Sequence, residues 1–308
     1  MRRIPAASFG AGLAAATTVA VAFAVAVGGV RAQSVERRMI VTVLDGDDNP
    51  VGNLAPRDLV VREDGAAREV LRVEPAGAER QIAVLVDTSE AAARATRDFR
   101  AGLSAFFEAM HEGNEISLIS FGGPPRILVG STGSLSRLQD GLGDVFGFAG
   151  SAAYLLDAMA QAAEGFARRE AARPILLALT TEGVDYSNVR AREVLERVRE
   201  SGAAVYTLLV AGRGRARVDP GLLDARRQQE EMERNLVLER GPRDSGGRSE
   251  IVLTSIAVEN ALLEFATELR SQFVVTYARP GALIPPERIE VAVNRAGLTA
   301  RGTPLKGD

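Results

Sequence analysis

The chain has 308 residues, 46% hydrophobic and 25% charged, with a formal net charge of −3. That is ordinary globular composition, enough for one large domain with an accessory or for two domains, and a mildly acidic body is not that of a nucleic-acid binder. Cysteine is absent and His111 is the single histidine, which excludes disulfides, thiol nucleophiles and Cys-ligated zinc and leaves a zinc site or Ser-His-Asp triad resting on one imidazole.

The amino terminus has the form of an export signal. Met1-Arg2-Arg3 is a short positive region, Ile4 to Val30 is apolar and rich in Ala, Val and Gly, and Val30-Arg31-Ala32 fits small-x-Ala cleavage before Gln33. Residues 1–32 are therefore expected to be a signal peptide, placing the mature chain in the periplasm or outside the cell. The alternative is an uncleaved anchor, because the apolar stretch is long enough to span a bilayer. No later segment has that length and apolarity, so no membrane span is expected after cleavage.

Residues 39–77 have an all-β pattern. Met39–Leu44 is a β-rich run closed by Asp45-Gly46-Asp47-Asp48-Asn49-Pro50, which is turn chemistry and lacks the oxygen spacing of an EF-hand. Leu59–Glu63 and Arg68–Val73 flank Asp64-Gly65, a hairpin signal. From residue 81 strand and helix alternate. Strands are expected at 82–86, 115–121, 174–180 and 204–210, with 126–129 as a hairpin partner of 115–121. Helices are expected at 92–111, from Ser134 to about Val145, at 153–169 with Leu155, Leu156, Met159, Ala163 and Phe166 on one face, and at 189–201 between a Ser187 or Asn188 cap and Gly202. This alternation implies a parallel, doubly wound α/β sheet with helices on both faces.

Residues 212–250 break the rhythm. They are charged and Gly-rich, with a helix expected from about Pro220 to Leu238, a solvated charged face at Arg226–Glu231, and a mobile loop at Gly241–Arg248. Ser255 or Thr254 is expected to cap a helix to Ser271, followed by a strand at 273–277. Arg288–Val293 alternates polar and apolar like a half-buried strand, with Leu298–Thr303 as its expected hairpin partner across Gly297. The two terminal β segments, 39–77 and 284–303, are expected to form a small antiparallel accessory beside a domain spanning 80–280.

The stretch richest in chemistry is Gln81–Ala91. A buried strand that stops at Asp87-Thr88-Ser89 sets hard oxygen donors at its carboxyl end, where open α/β sheets bind ligands, and such donors suit Mg²⁺ or another hard divalent cation. The residue-level alternative is that Asp87 and Ser89 hydrogen-bond neighbouring loop backbone and cap the next helix.

The order of strand, Asp-x-Ser, Ala-rich helix, second strand, Gly-Ser loop and Thr181-Glu182-Gly183-Val184-Asp185 resembles a von Willebrand factor type A (vWA) domain. The chain is further similar to exported bacterial vWA-related proteins of the Acidobacteria type, through Asp45, Pro50-Val51, Leu54, Asp58, Val60 and Glu63-Asp64-Gly65, and through Glu268-Leu269-Arg270-Ser271-Gln272-Phe273 and Tyr277-Ala278-Arg279-Pro280. The similarity covers about residues 39–303, apart from the segment 212–250. It implies a Rossmann-like fold and a metal-ion-dependent adhesion site of pattern Asp-x-Ser-x-Ser, a Thr from a second loop and an Asp from a third. Residue by residue, Asp87 and Ser89 match, the second Ser falls on Ala91, the second-loop Thr on Ser151, and the third-loop Asp on Glu182. The implied metal set is therefore the degenerate group Asp87, Ser89, Ser151 and Glu182. The resemblance implies a non-enzymatic protein-binding or adhesion module, its partner held by the loops at 87–91, 150–153 and 182–185. A structural subunit of a cell-envelope assembly is one alternative. A metal-assisted hydrolase using Asp87 and Glu182 is another, although no base, nucleophile or oxyanion donor accompanies the two acids.

Overall fold

The computed structural model describes residues 34–212, 225–281, 284–286 and 288–305. The expected signal peptide, residues 1–32, lies outside the described residues, as do residues 213–224 of the charged segment. No helix among the described residues is long and apolar enough to cross a membrane.

The larger part of the molecule is an α/β layer structure around a six-stranded sheet. Its central strand is β5 (Gln81–Val86), flanked in parallel by β6 (Glu115–Ser120) and β8 (Pro174–Thr181). Next to β8 lies β9 (Ala204–Val210), also parallel, while β7 (Arg126–Thr132) returns antiparallel beside β6. Burial on both faces explains the near-continuous apolar runs of β5 and β8. Ile82, Val84 and Val86 feed one core with α1 (Thr96–Met110) and α6 (Ser255–Arg270), while Ala83 and Leu85 feed the other with α3 (Leu155–Arg168) and α4 (Ala191–Ser201). Phe99, Leu103, Phe106, Phe107 and Met110 line the inner face of α1, each fully buried aromatic or Leu contributing about 1.5–3 kcal/mol of transfer free energy. The apolar face expected for α3, from Leu155 through Phe166, is buried as a set.

Residues 225–252 contain the expected charged helix and correct the expectation of a loop at Gly241–Arg248. Ala225–Ser245 is one helix, α5, with Val237 and Leu238 in the second core, and Arg248–Val252 is a strand, β10, that pairs in parallel with β9 at the sheet edge. The glycines that suggest a loop serve close packing. Gly246 holds a left-handed φ of +75°, and a Cβ on Gly247 would stand 1.9 Å from the carbonyl oxygen of Val205. Helix capping differs too. Arg190, not Ser187 or Asn188, occupies the cap position of α4, and the first helical N–H, that of Ala191, donates to Glu233 of α5 at 2.6 Å.

The terminal segments form an accessory of two antiparallel sheets around one apolar core. One sheet has the order β13 (Thr299–Pro304), β1 (Ser34–Leu44), β11 (Phe273–Pro280), β4 (Val70–Pro75), and the other has the order β12 (Ile289–Val293), β2 (Leu59–Glu63), β3 (Ala66–Arg68). Two expectations change here. β13 pairs with β1 rather than making a hairpin with β12, and β11, expected to end the larger domain, lies between β1 and β4 in the accessory. Met39, Val41, Val43, Leu59, Val61, Phe273, Val275 and Tyr277 fill the space between the two sheets.

Two buried charge clusters hold this arrangement. Inside the accessory, Glu63 accepts the Tyr277 hydroxyl at 3.0 Å and pairs with Arg68 at 2.8 Å and Arg279 at 3.3 Å. Where the accessory meets the large sheet, Glu268 at the end of α6 accepts the hydroxyl of Tyr206 on β9 at 2.8 Å and pairs with Arg301 on β13 at 2.7 Å. Burial and the adjoining Glu268 charge push the Tyr206 phenol well above its usual range. The sequence patterns at 63–65 and at 268–280 are thus the residues of a clasp, since they bring β2, β9, β11, β13 and α6 into charge contact. Replacing Glu268 by Ala leaves Arg301 and the Tyr206 hydroxyl without their carboxylate. It is expected to cost about 3 kcal/mol, read as a shift in the urea unfolding midpoint.

Candidate functional site

The parallel registers of β5, β6, β8 and β9 bring their carboxyl ends to one edge of the sheet, and the loops that follow meet there. Asp87 continues β5 by one residue, its N–H donating to Leu179 of β8 at 3.0 Å. The side chain is 1% exposed. Its Oδ1 accepts the backbone N–H of Ser89 at 2.9 Å, closing an Asx turn. Its Oδ2 accepts from the Thr180 hydroxyl at 3.3 Å, the Thr181 hydroxyl at 3.2 Å and the Thr181 N–H at 3.3 Å. The carboxylate thus ties the end of β5 to the end of β8, and four protein donors occupy its two oxygens.

The other sequence-derived site residues divide. Ser89 stands beside Asp87, buried, its hydroxyl without a hydrogen-bond partner among the described residues. Ser151 is brought to the same loop, but its hydroxyl donates to the carbonyls of Phe148 at 2.6 Å and Thr88 at 3.4 Å. Glu182 follows the end of β8. Its Oε2 accepts the N–H of Gly212, beyond the end of β9, at 2.9 Å. Ala91 supplies no oxygen, and its methyl lies 3.8 Å from the position a Cβ on Gly183 would take. The first loop does not cap α1 through Asp87 or Ser89, since the cap position there is Ala95 with no side-chain bond.

The loops are pinned to one another through further contacts. Glu90 accepts the N–H of Gly150 at 2.8 Å, and its own N–H donates to Ser151 at 3.2 Å. Thr88 accepts the N–H of Gly122 through its hydroxyl at 3.0 Å, and a Cβ on Gly122 would lie 2.1 Å from the Thr88 carbonyl carbon, so only glycine fits. Asp185, expected on a displayed loop, is instead buried at the start of α3. Its Oδ2 accepts the Leu155 N–H at 2.6 Å and its Oδ1 the Ser187 N–H at 3.1 Å. A carboxylate suits the positive end of α3.

Sequence patterning does not single out the residue that organises the rear of the site. Arg234 of α5 is 4% exposed, and its guanidinium donates to the carbonyls of Thr181 and Gly183 and, at 3.4 Å, to the hydroxyl of Thr180. Burial lowers its pKa, and the charges of Asp87 and then Asp185 act against that. The available signal was spacing: Arg234, Val237, Leu238 and Gly241 fall at i, i+3, i+4 and i+7, the inward stripe of a helix.

Around this floor the surface is aromatic. Phe146 and Phe148 are 41% and 43% exposed with ring centroids 4.5 Å apart, and Tyr186 is 42% exposed. Two of them are tied to the site through their backbones, the Phe148 N–H donating to Thr88 at 3.1 Å and the Tyr186 N–H to Ala153 at 2.8 Å.

With the geometry in place, the chain can be set beside known proteins. No family model and no curated protein matches it. Among solved structures it is similar to proximal thread matrix protein 1 from the mussel byssus, with a TM-score of 0.50 and 11% identity over 68% of this chain and 50% of that one. The likeness is one of fold. A von Willebrand factor type A protein from Catenulispora acidiphila (TM-score 0.47, 11% identity, 89% of this chain and 73% of that one) and the conserved hypothetical protein BatB from Bacteroides thetaiotaomicron (TM-score 0.45, 16% identity, 63% and 100%) are also similar.

One consequence concerns pH. Burial holds the Asp185 carboxyl above the usual range, opposed by its bonds to Ser187 and Leu155. The native state therefore binds this proton more tightly than the unfolded chain. The stabilisation is fully present below the ordinary carboxylate range and is lost as pH rises through the raised native value. Asp185→Asn is expected to flatten that part of the curve of urea midpoint against pH.

Proposed function

We propose that this chain is an exported vWA-type protein-binding module, doubly wound in its larger part, whose metal-ion-dependent adhesion site is degenerate. The observation that carries the reading is the occupation of Asp87 by four donors of its own chain. Mg²⁺ asks for six oxygens near 2.1 Å in octahedral geometry. Here Ala91 offers none, the Ser151 hydroxyl is oriented by the carbonyls of Phe148 and Thr88, and one Glu182 oxygen is engaged by the N–H of Gly212. Of the residues that would hold the ion, only Ser89 has a hydroxyl without a hydrogen-bond partner among the described residues. The donor set does not fit a metal shell.

What remains for recognition is the loop face itself. Phe146, Phe148 and Tyr186 supply exposed aromatic area on a rigid support, and aromatic anchors carry a large share of the energy at protein interfaces. The loops at 87–91, 150–153 and 182–185 form the floor beneath them. Binding, not catalysis, is the better reading, since the two acids a hydrolase would use are engaged by donors of their own chain and no nucleophile or oxyanion donor accompanies them among the described residues. Residues 1–32, as a signal peptide, would deliver the module to the periplasm or beyond the cell.

Isothermal titration of the mature protein with Mg²⁺, Mn²⁺ and Ca²⁺ is expected to show no binding heat. Tight binding abolished by Asp87→Ala would overturn the degenerate-site reading. A partner taken from envelope extracts on the immobilised protein is expected to stay bound in EDTA and to be lost from a Phe146→Ser/Phe148→Ser variant. Retention by that variant would place the interface elsewhere.

A further inference from the structure

Arg234 is buried, yet it enters the site from a helix on one face of the sheet and is held by neutral acceptors, two carbonyls and a hydroxyl. The hydroxyl it meets, Thr180 Oγ1, donates in turn to Asp87 Oδ2 at 3.3 Å, with the Thr181 carbonyl at 3.4 Å as a second acceptor. A single side chain therefore accepts from a guanidinium and donates to a carboxylate, an orientation in which each hydrogen bond strengthens the other. The acids acting on Arg234 come from two strand ends and from its own helix: Asp87 after β5, Asp185 and Glu182 after β8, and Glu231 on α5.

We infer that Arg234 is a built-in cation that supplies the buried ends of β5 and β8 with the positive charge a bound metal would bring, linked to Asp87 through Thr180. The inference rests on the reading of the loop face as a degenerate metal site and goes beyond it by naming what replaces the ion. A carboxylate as buried as Asp87 is costly to keep ionised without a positive partner. A divalent ion serves that purpose only while it is bound, whereas Arg234 is part of the chain. Its guanidinium also fixes the carbonyls of Thr181 and Gly183, so charge compensation and loop geometry come from one residue. A second cation placed there would be repelled by the first. The loop face is consequently set in one arrangement and does not respond to divalent ions.

The test is a double-mutant cycle by urea denaturation, run in EDTA, on the wild type, Asp87→Asn, Arg234→Met and the double variant. Met keeps the length of the buried stem and removes the charge. Each single change is expected to lower the folding equilibrium constant, and the double variant to lose about tenfold less than the product of the two. Losses that multiply independently would overturn the inference. Should Arg234→Met yield no folded protein, recovery of a cooperative unfolding transition in the double variant carries the same coupling, and failure to recover it counts against the proposal. Because no metal is present in the cycle, its outcome is independent of the metal titration. Coupling with tight Mg²⁺ binding would sink the degenerate-site reading and, with it, the claim that Arg234 replaces the ion, while leaving the Arg234–Asp87 link; additivity without Mg²⁺ binding would sink this inference alone.

Discussion

The arrangement of the site depends on one constraint: a buried carboxylate at the end of the central strand must find donors for both its oxygens. Asp87 meets it by taking donors from its own turn and from Thr180 and Thr181 at the end of the next strand. That fixes the separation of the β5 and β8 ends, and the rest follows. Thr88 is set to receive Gly122, Glu90 to receive Gly150, and the loop carrying Phe146 and Phe148 is drawn over the top by its bond to the Thr88 carbonyl. Leaving a buried acceptor unmet would cost about 1–3 kcal/mol, more when it is charged, which is comparable to the gain from a well-placed aromatic in the core.

The accessory and the large sheet are joined by the same kind of device. Glu268 and Glu63 are carboxylates withdrawn from water, each met by arginine and by a tyrosine hydroxyl. Removing either partner strands the other, so such clusters are costly to break even where their net contribution is small. In this chain they specify pairing. β11 must lie against β1 and β4 for Tyr277 and Arg279 to reach Glu63, and β13 must lie on β1 for Arg301 to reach Glu268.

Legibility in the sequence follows how local each signal is. β5, β8 and β9 are visible as short apolar runs, and α3 and α4 as amphipathic stripes, because burial on both faces or on one leaves a periodic trace. The partners of β11, β12 and β13 are not visible. An alternating strand fits a hairpin as well as a place in either of two sheets, and the charge partners that favour one pairing are distant in sequence, Glu63 for β11 and Glu268 for β13. The segment around Gly241–Arg248 misleads because its glycines serve close packing against Val205 and Gly302 rather than flexibility. At the site, Asp87 and Ser89 stand out from composition alone, and Ser151 is drawn to them. Glu182, which the resemblance places in the third loop of a metal site, accepts the N–H of Gly212 just beyond the end of β9. Arg234 is obscured by the charged residues around it, its stripe position overshadowed by a helix that is otherwise polar.

On the proposed reading, a fixed guanidinium stands in for a removable ion on this surface, and an aromatic rim makes the contact. The most direct measurement is an anomalous difference map from crystals of the mature protein grown in Mn²⁺. The expected result is density for Arg234 behind Thr180 and no anomalous peak near Asp87 and Ser89. A peak within coordinating reach of the Asp87 carboxylate and the Ser89 hydroxyl would contradict it.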